Sequence, residues 1–379
     1  MWQSLHDAWW RLATQRQPRA FSDALACSAL GIGAAVYQGA VALRNAAYDR
    51  GWIAQVKLPC RVVSVGNLTV GGTGKTTCVE YVANKLLAMG KRVAVLSRGY
   101  GAAPPRDYWL RTDAGRLLLD GEPMTATDGL ADEPQLLARR LAGVPILVGR
   151  RRDRTGQLAA TQFGADTVIL DDGFQHRRVA RDCDIVLIHA RMPLGGWPLL
   201  PRGPMREPLR ALSRAHIIMI TKSDEALGTV GALEEHLQGL NADATVVTTT
   251  HEASVLMESA TGCAHDPISL AGLRVGLVSS IGDPQGFEST VQRLHASVAW
   301  HTAFPDHHRY QPTDWDAIRM HVRQTRPEAI VTTEKDWVRL KPVLGDQTLD
   351  APLWILGVQM KLLHGEEALD DRLARLYAG

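Results

Sequence analysis

A β-branched run, a glycine-rich loop and a helical pattern follow one another directly between residues 61 and 90, and few folds accept that order. Arg61-Val62-Val63-Ser64-Val65 reads as a short buried strand. It feeds Gly66-Asn67-Leu68-Thr69-Val70-Gly71-Gly72-Thr73-Gly74-Lys75-Thr76-Thr77, and from Lys75 the pattern is helical through Leu87, with Gly90 closing it. Strand, loop and helix together are the context of a phosphate-binding loop. Gly71, Gly72 and Gly74 let backbone N–H groups converge on phosphate oxygens where a Cβ would obstruct. The helix N-terminus adds positive potential. Lys75 is placed to reach the β- and γ-phosphates and the Thr76 hydroxyl to ligate Mg²⁺, with Thr73 and Thr77 completing the cradle. A strict G-x-x-x-x-G-K-[ST] pattern asks for glycine at position 69, where this chain has Thr69.

The matching acidic element is Asp166-Thr167-Val168-Ile169-Leu170-Asp171-Asp172-Gly173. An apolar run ending in two carboxylates puts them at the carboxyl edge of a parallel sheet, where ligands bind in such folds. Asp171 and Asp172 would hold Mg²⁺ directly or through water. Alone, the same residues read as turn caps; beside the glycine loop, the metal reading prevails. Further strands are expected at Val93–Leu96, Pro145–Val148, Ile185–Ile188 and Ile217–Ile220, with a helix over Asp132–Leu141. This is an α/β fold of the P-loop NTPase type, a largely parallel sheet flanked by helices. From about residue 243 a second, smaller α/β unit is expected, with strands at Arg274–Val278 and Ala329–Thr332 and no second phosphate loop. The expected division is 1–57, 58–242 and 243–379.

Net charge is +2, which argues against a surface built for nucleic acid. The five cysteines are scattered and form no C-x-x-C pair, so neither a disulfide framework nor a structural zinc site is expected, and the reducing cytosol is the natural compartment. No protein partner is evident. Residues 24 to 43 form an uncharged run of 20, bounded by Asp23 and Arg44, long enough to span a hydrocarbon core yet half Ala and Gly. Ahead of it Trp2, Leu5, Trp9 and Leu12 share a helical face, followed by Arg16 and Arg19. That combination favours a helix lying on a membrane surface over a buried helix, and over a true span.

Thr221-Lys222-Ser223-Asp224 echoes the motif with which P-loop GTPases read guanine, which keeps a GTPase or metal-chaperone NTPase as the alternative. A nucleotide-binding protein without catalysis is a third reading. Arginines cluster at 150–154, 177–181 and 202–210. They read either as solvated charge or as bidentate partners for the phosphates of a nucleotide and an anionic lipid.

Taken together, Gly66-Asn67 with Gly71 to Thr76, Ser97-Arg98-Gly99-Tyr100-Gly101, Asp132-Glu133, Asp171-Asp172-Gly173-Phe174-Gln175-His176, Leu200-Pro201-Arg202-Gly203-Pro204 with Arg206-Glu207-Pro208, Phe304-Pro305-Asp306-His307-His308 and Thr332-Thr333-Glu334-Lys335-Asp336 resemble, in order and over nearly the whole chain, the tetraacyldisaccharide 4′-kinases. Thr77 stands where many members carry proline.

The resemblance implies phosphorylation by ATP, with Mg²⁺, of the 4′-hydroxyl of an anionic, tetraacylated disaccharide 1-phosphate. It implies the cytoplasmic face of a Gram-negative inner membrane, with peripheral or N-terminal anchoring, and two α/β/α domains with the active site between them. Within it Asp132 matches the base and His307 its partner. Thr76, Glu133, Asp171 and Asp172 are the metal candidates, and Arg98, Tyr100, Arg152, Gln175 and His176 the substrate contacts. Without it, Asp132 reads as a helix N-cap and His307 as a turn histidine.

Overall fold

The computed structural model describes residues 9, 13, 21–99, 107–124, 130–191, 197–226, 228–345 and 349–378. Tyr100 and most of the N-terminal tryptophan stripe (all but Trp9) lie outside them. In chain order the structure runs through α1 (Phe21–Asp49), β1 (Arg61–Asn67), α2 (Lys75–Ala88), β2 (Val93–Ser97), β3 (Tyr108–Asp113), β4 (Arg116–Leu119) and β5 (Glu122–Pro123). Then come α3 (Asp132–Arg140), β6 (Ile146–Val148), α4 (Arg152–Gln162), β7 (Thr167–Asp171), β8 (Cys183–His189), β9 (Ile217–Thr221) and α5 (Val230–Leu240). The remainder is β10 (Thr245–Glu258), β11 (Arg274–Ser279), α6 (Pro284–Arg293), β12 (Ser297–Ala303), α7 (Pro312–Thr325), β13 (Ala329–Thr333), α8 (Glu334–Leu344), β14 (Leu353–His364) and α9 (Glu366–Ala374).

By compactness the chain forms two units that are discontinuous in sequence: 1–98 with 149–250 and 362–379, and 99–148 with 251–361. In the first unit the strands lie side by side as β2-β7-β1-β8-β9-β10, parallel throughout. Strands β7, β8 and β9 are buried along their whole length, which is why their middles, such as Ile185 to Ile188 of β8, read as continuous apolar runs rather than alternating ones. β1 is central, and its register pairs Val65 with Asp171 of β7. The loop after β1 and the carboxylates after β7 therefore emerge at the same edge of the sheet.

Helix α1 shows two faces. Val41 and Ala47 are buried against this unit, and the Tyr37 hydroxyl donates to the Arg206 carbonyl at 3.0 Å. Arg44 and Asn45 both donate to Glu207, which is 0% exposed and also receives Arg214. On the other face Leu25, Ile32, Val36 and Leu43 are exposed. By length and composition the stretch Ser22–Asp49 could cross a membrane.

In the second unit β12-β11-β13-β14 are parallel, while β6-β3-β4-β5 form an antiparallel arm that the sequence pattern does not announce. Helix α3 packs against β3 of that arm and against α8. Trp315 of α7 fills the core beneath β13, with Ile318 and Leu340. Burying such side chains contributes about 1.5–3 kcal/mol each.

Candidate active site

In the first unit the candidate site is built on the loop between β1 and α2. Gly74 takes φ 81°, a left-handed conformation that turns the chain into α2 and that a side chain would strain. A Cβ on Gly66 would lie 2.7 Å from that of Phe174, so the two loops at this sheet edge meet only because residue 66 has none. Asn67 Nδ2 donates to Thr73 Oγ1 at 2.8 Å, and Thr221 Oγ1 donates to the Thr73 carbonyl at 3.2 Å. Thr77 Oγ1 donates to the Gly74 carbonyl. The segment around residue 205 runs alongside: Val70 N–H donates to the Pro204 carbonyl and Arg206 N–H to the Leu68 carbonyl. Thr69, the departure from a strict glycine pattern, bridges to Met205 there.

Opposite stand the two acids. Asp171 is buried and accepts from Ser97 Oγ at 3.1 Å. Asp172 turns at φ 49°, with its carboxylate 3.7 Å from Lys75 Nζ and bound by Arg206 Nη1 at 2.8 Å on each oxygen. Buried Arg152 donates to the Asp172 carbonyl at 3.2 Å. Burial alone would raise the Asp172 pKa, but Lys75, Arg206 and Arg152 outweigh it and hold the carboxyl below its ordinary value. Gln175 Nε2 donates to the Asn67 carbonyl, tying the acidic turn to the loop. His176 is pushed down to about 4, first by burial and then by Arg152 and Arg181, so it is neutral at cellular pH. Arg98 is exposed at the end of β2. Thr76, Asp171 and Asp172 form an oxygen-only donor set of the kind a hard divalent cation takes.

The other unit carries a second cluster of charged residues. Asp132 is the first residue of α3, with Ala131 at the cap position and no side-chain capping bond, so its carboxylate is not spent as an N-cap. Asp132 Oδ2 lies 3.8 Å from His307 Nδ1 and 3.3 Å from Arg339 Nε. His307 sits at φ 60° in the turn after Pro305, and its backbone N–H donates to the Ser280 carbonyl. Glu133 is paired with Lys335 at 3.1 Å, and Lys335 Nζ is 3.4 Å from His307 Nε2. Burial would lower the Lys335 pKa, but Glu133 and Asp306 more than offset it and keep the ammonium charged.

The structure thus groups Lys75, Thr76, Asp171, Asp172, Arg152, Gln175 and His176 in the first unit, and Asp132, Glu133 and His307 in the second. Sequence reasoning did not single out Arg206 from its basic cluster, nor find Arg339. Each is selected by a partner far along the chain, and neither carries a local pattern. Thr221 serves the loop from below, and Asp224 accepts from Thr250 Oγ1 at 2.5 Å.

Comparison with known proteins follows the same lines. The family described as LpxK, tetraacyldisaccharide-1-P 4′-kinase, matches residues 27–378. The tetraacyldisaccharide 4′-kinase of Anaeromyxobacter dehalogenans (strain 2CP-C) is 41% identical over 373 residues, covering 98% of this chain and 94% of that protein. That of Syntrophus aciditrophicus is 41% identical over 333 residues, covering 86% and 87%. A crystal structure of LpxK from Aquifex aeolicus in complex with ATP superposes with a TM-score of 0.71 at 29% identity, covering 93% of this chain and 99% of that one. With the profile matched over more than nine-tenths of its length and relatives aligned nearly end to end, the chain belongs to the tetraacyldisaccharide 4′-kinase (LpxK) family.

Proposed function

We propose that the chain transfers the γ-phosphoryl group of ATP to the 4′-hydroxyl of a tetraacylated glucosamine disaccharide 1-phosphate, a lipid A precursor. The observation that carries this reading is the family match over residues 27–378, which covers both the triphosphate loop and the Asp132–His307 pair. Backbone N–H groups of the loop from Gly71 to Thr77 cradle the phosphates, and Lys75 neutralises charge on the β/γ oxygens. Mg²⁺, when bound, neutralises charge that develops on the transferring group, and Thr76, Asp171 and Asp172 would hold it. Asp132 accepts the proton of the attacking hydroxyl, and His307 orients that carboxylate. Glu133 keeps Lys335 beside His307 in this scheme. Arg98, Tyr100, Arg152, Gln175 and His176 are assigned to the anionic sugar and to nucleotide phosphate.

The exposed face of α1 is assigned to the cytoplasmic surface of the inner membrane. At 100° per residue Leu25, Ile32, Val36 and Leu43 fall within about 40° of one line, a stripe about 27 Å long. Such a narrow stripe on a helix docked along its other side suits lying in the interface rather than crossing it. An assay with γ-labelled ATP and the disaccharide 1-phosphate in mixed micelles tests the function. Label in the lipid fraction supports it. Turnover of GTP in preference to ATP, with no labelled lipid, would favour the GTPase reading suggested by Thr221 to Asp224.

A further inference from the structure

We propose that Arg339 is a positioning residue for the phosphoryl-transfer step, fixing the base Asp132 and the turn that carries His307 in one frame; this rests on the assignment of Asp132 as base. The guanidinium is 7% exposed and is held on every nitrogen. Nε lies 3.3 Å from Asp132 Oδ2 as an ion pair and donates to the Lys335 carbonyl at 3.4 Å. Nη1 donates to the His308 carbonyl at 3.3 Å. Nη2 donates to the Ser280 carbonyl at 3.2 Å and to Asp336 Oδ1 at 3.0 Å. The same Ser280 carbonyl accepts from the His307 backbone N–H, so Arg339 and the histidine turn hang from one atom.

Asp336 is the anchor behind this. It is 0% exposed, and besides Arg339 it accepts from Ser280 N–H at 2.9 Å, Ser280 Oγ at 2.6 Å, Tyr310 at 3.1 Å and Thr333 Oγ1 at 2.7 Å. A buried carboxylate so fully bound does not move, and a planar guanidinium transmits that rigidity in a way a single ammonium cannot. The plain alternative is a buried ion pair that only holds α8 to β11. It leaves unexplained why Nε lies against Asp132, and why Nη1 reaches the residue beside His307.

The test uses the full-length enzyme with ATP and the disaccharide 1-phosphate, comparing Arg339→Ala, Arg339→Lys, Asp132→Asn and the double variant Arg339→Ala/Asp132→Asn. A displaced base is expected to lower kcat of Arg339→Ala about 10²-fold with KM for ATP unchanged. Added guanidinium ion should restore part of that rate. The double variant should be no slower than Asp132→Asn alone, because both changes act on one group. Should Arg339→Ala fail to fold, Arg339→Lys carries the test, with kcat reduced and KM for ATP unchanged. Wild-type kcat in Arg339→Lys or Arg339→Ala overturns the proposal, as do losses that multiply in the double variant. Full activity in Asp132→Asn would remove the base assignment and this inference together. An inactive Asp132→Asn beside fully active Arg339 variants removes the inference alone.

Discussion

Asp172 and Arg206 are joined by two 2.8 Å contacts from a single guanidinium nitrogen, across 34 residues of sequence, while Lys75 Nζ stands 3.7 Å from Asp172 Oδ1. The acid that follows β7 is thus compensated by two cations before any ligand arrives. Because its folded pKa lies below the ordinary 3.8, this pairing stabilises the fold at every pH above that value and is lost only as pH falls through the lower one. Replacing Arg206 with Ala should move the titration of Asp172 upward. The acid limb of the kcat/KM profile should then shift to higher pH, which a profile of the variant against wild type extended below pH 4 measures. An unmoved limb would detach Asp172 from turnover.

Lys75→Ala should remove phosphoryl transfer by about 10²–10³-fold, the scale of losing one preorganised charge at the transferring group. Single-turnover kinetics with saturating ATP reads this directly, and a fully active variant would contradict the loop assignment.

Glu207 is fully buried and receives Arg44, Asn45 and Arg214. Glu207→Ala leaves the partly buried Arg214 without its carboxylate partner, which should cost on the order of 2–3 kcal/mol of stability. Thermal unfolding should show a correspondingly lower Tm. The same change should loosen α1 from the segment that pairs with the phosphate loop.

His176 gives a pH effect of opposite origin. Its pKa falls from 6.5 to about 4 on folding, so between those values the unfolded chain binds a proton that the native chain does not. Stability therefore drops as pH falls from 6.5 towards 4. His176→Gln should flatten that slope in denaturant titrations at pH 5 and 7, and an identical slope would contradict it.

Membrane recovery is best tested by Ile32→Asp with Val36→Asp. Both positions are exposed, whereas deleting 1–43 would also remove the docked face around Tyr37. Flotation with anionic vesicles should fall while Tm holds. Undiminished flotation would count against the surface assignment.

Much of the first unit was legible in the sequence because its signals are local. The strand, the glycine turn and the helix at 61–88 lie within one stretch, and the burial of β7, β8 and β9 shows as continuous apolar runs in their middles. Asp132 and His307 were reachable only through family resemblance, since a carboxylate opening a helix usually caps it. Arg206, Arg339 and Asp336 were not singled out. Their meaning comes from partners dozens to hundreds of residues away, and an arginine or aspartate in a helical pattern carries no mark of what it will meet. The antiparallel arm of β3 to β5 escaped for a related reason. Its strands are short, half-exposed and mixed in polarity, so no period stands out. Helix α1 combined two expectations treated as rivals, with one side buried on the unit and the other left apolar to solvent.

The central claim is that Lys75 and Asp132 serve one transfer to one hydroxyl. The most direct measurement locates the label on the product of wild-type enzyme incubated with γ-labelled ATP and the disaccharide 1-phosphate, by phosphorus–proton correlation in NMR. The account predicts phosphate on the 4′-oxygen, formed far more slowly in reactions with Lys75→Ala or Asp132→Asn. Phosphate appended to the 1-phosphate, or released only as inorganic phosphate by the wild-type enzyme, would contradict it.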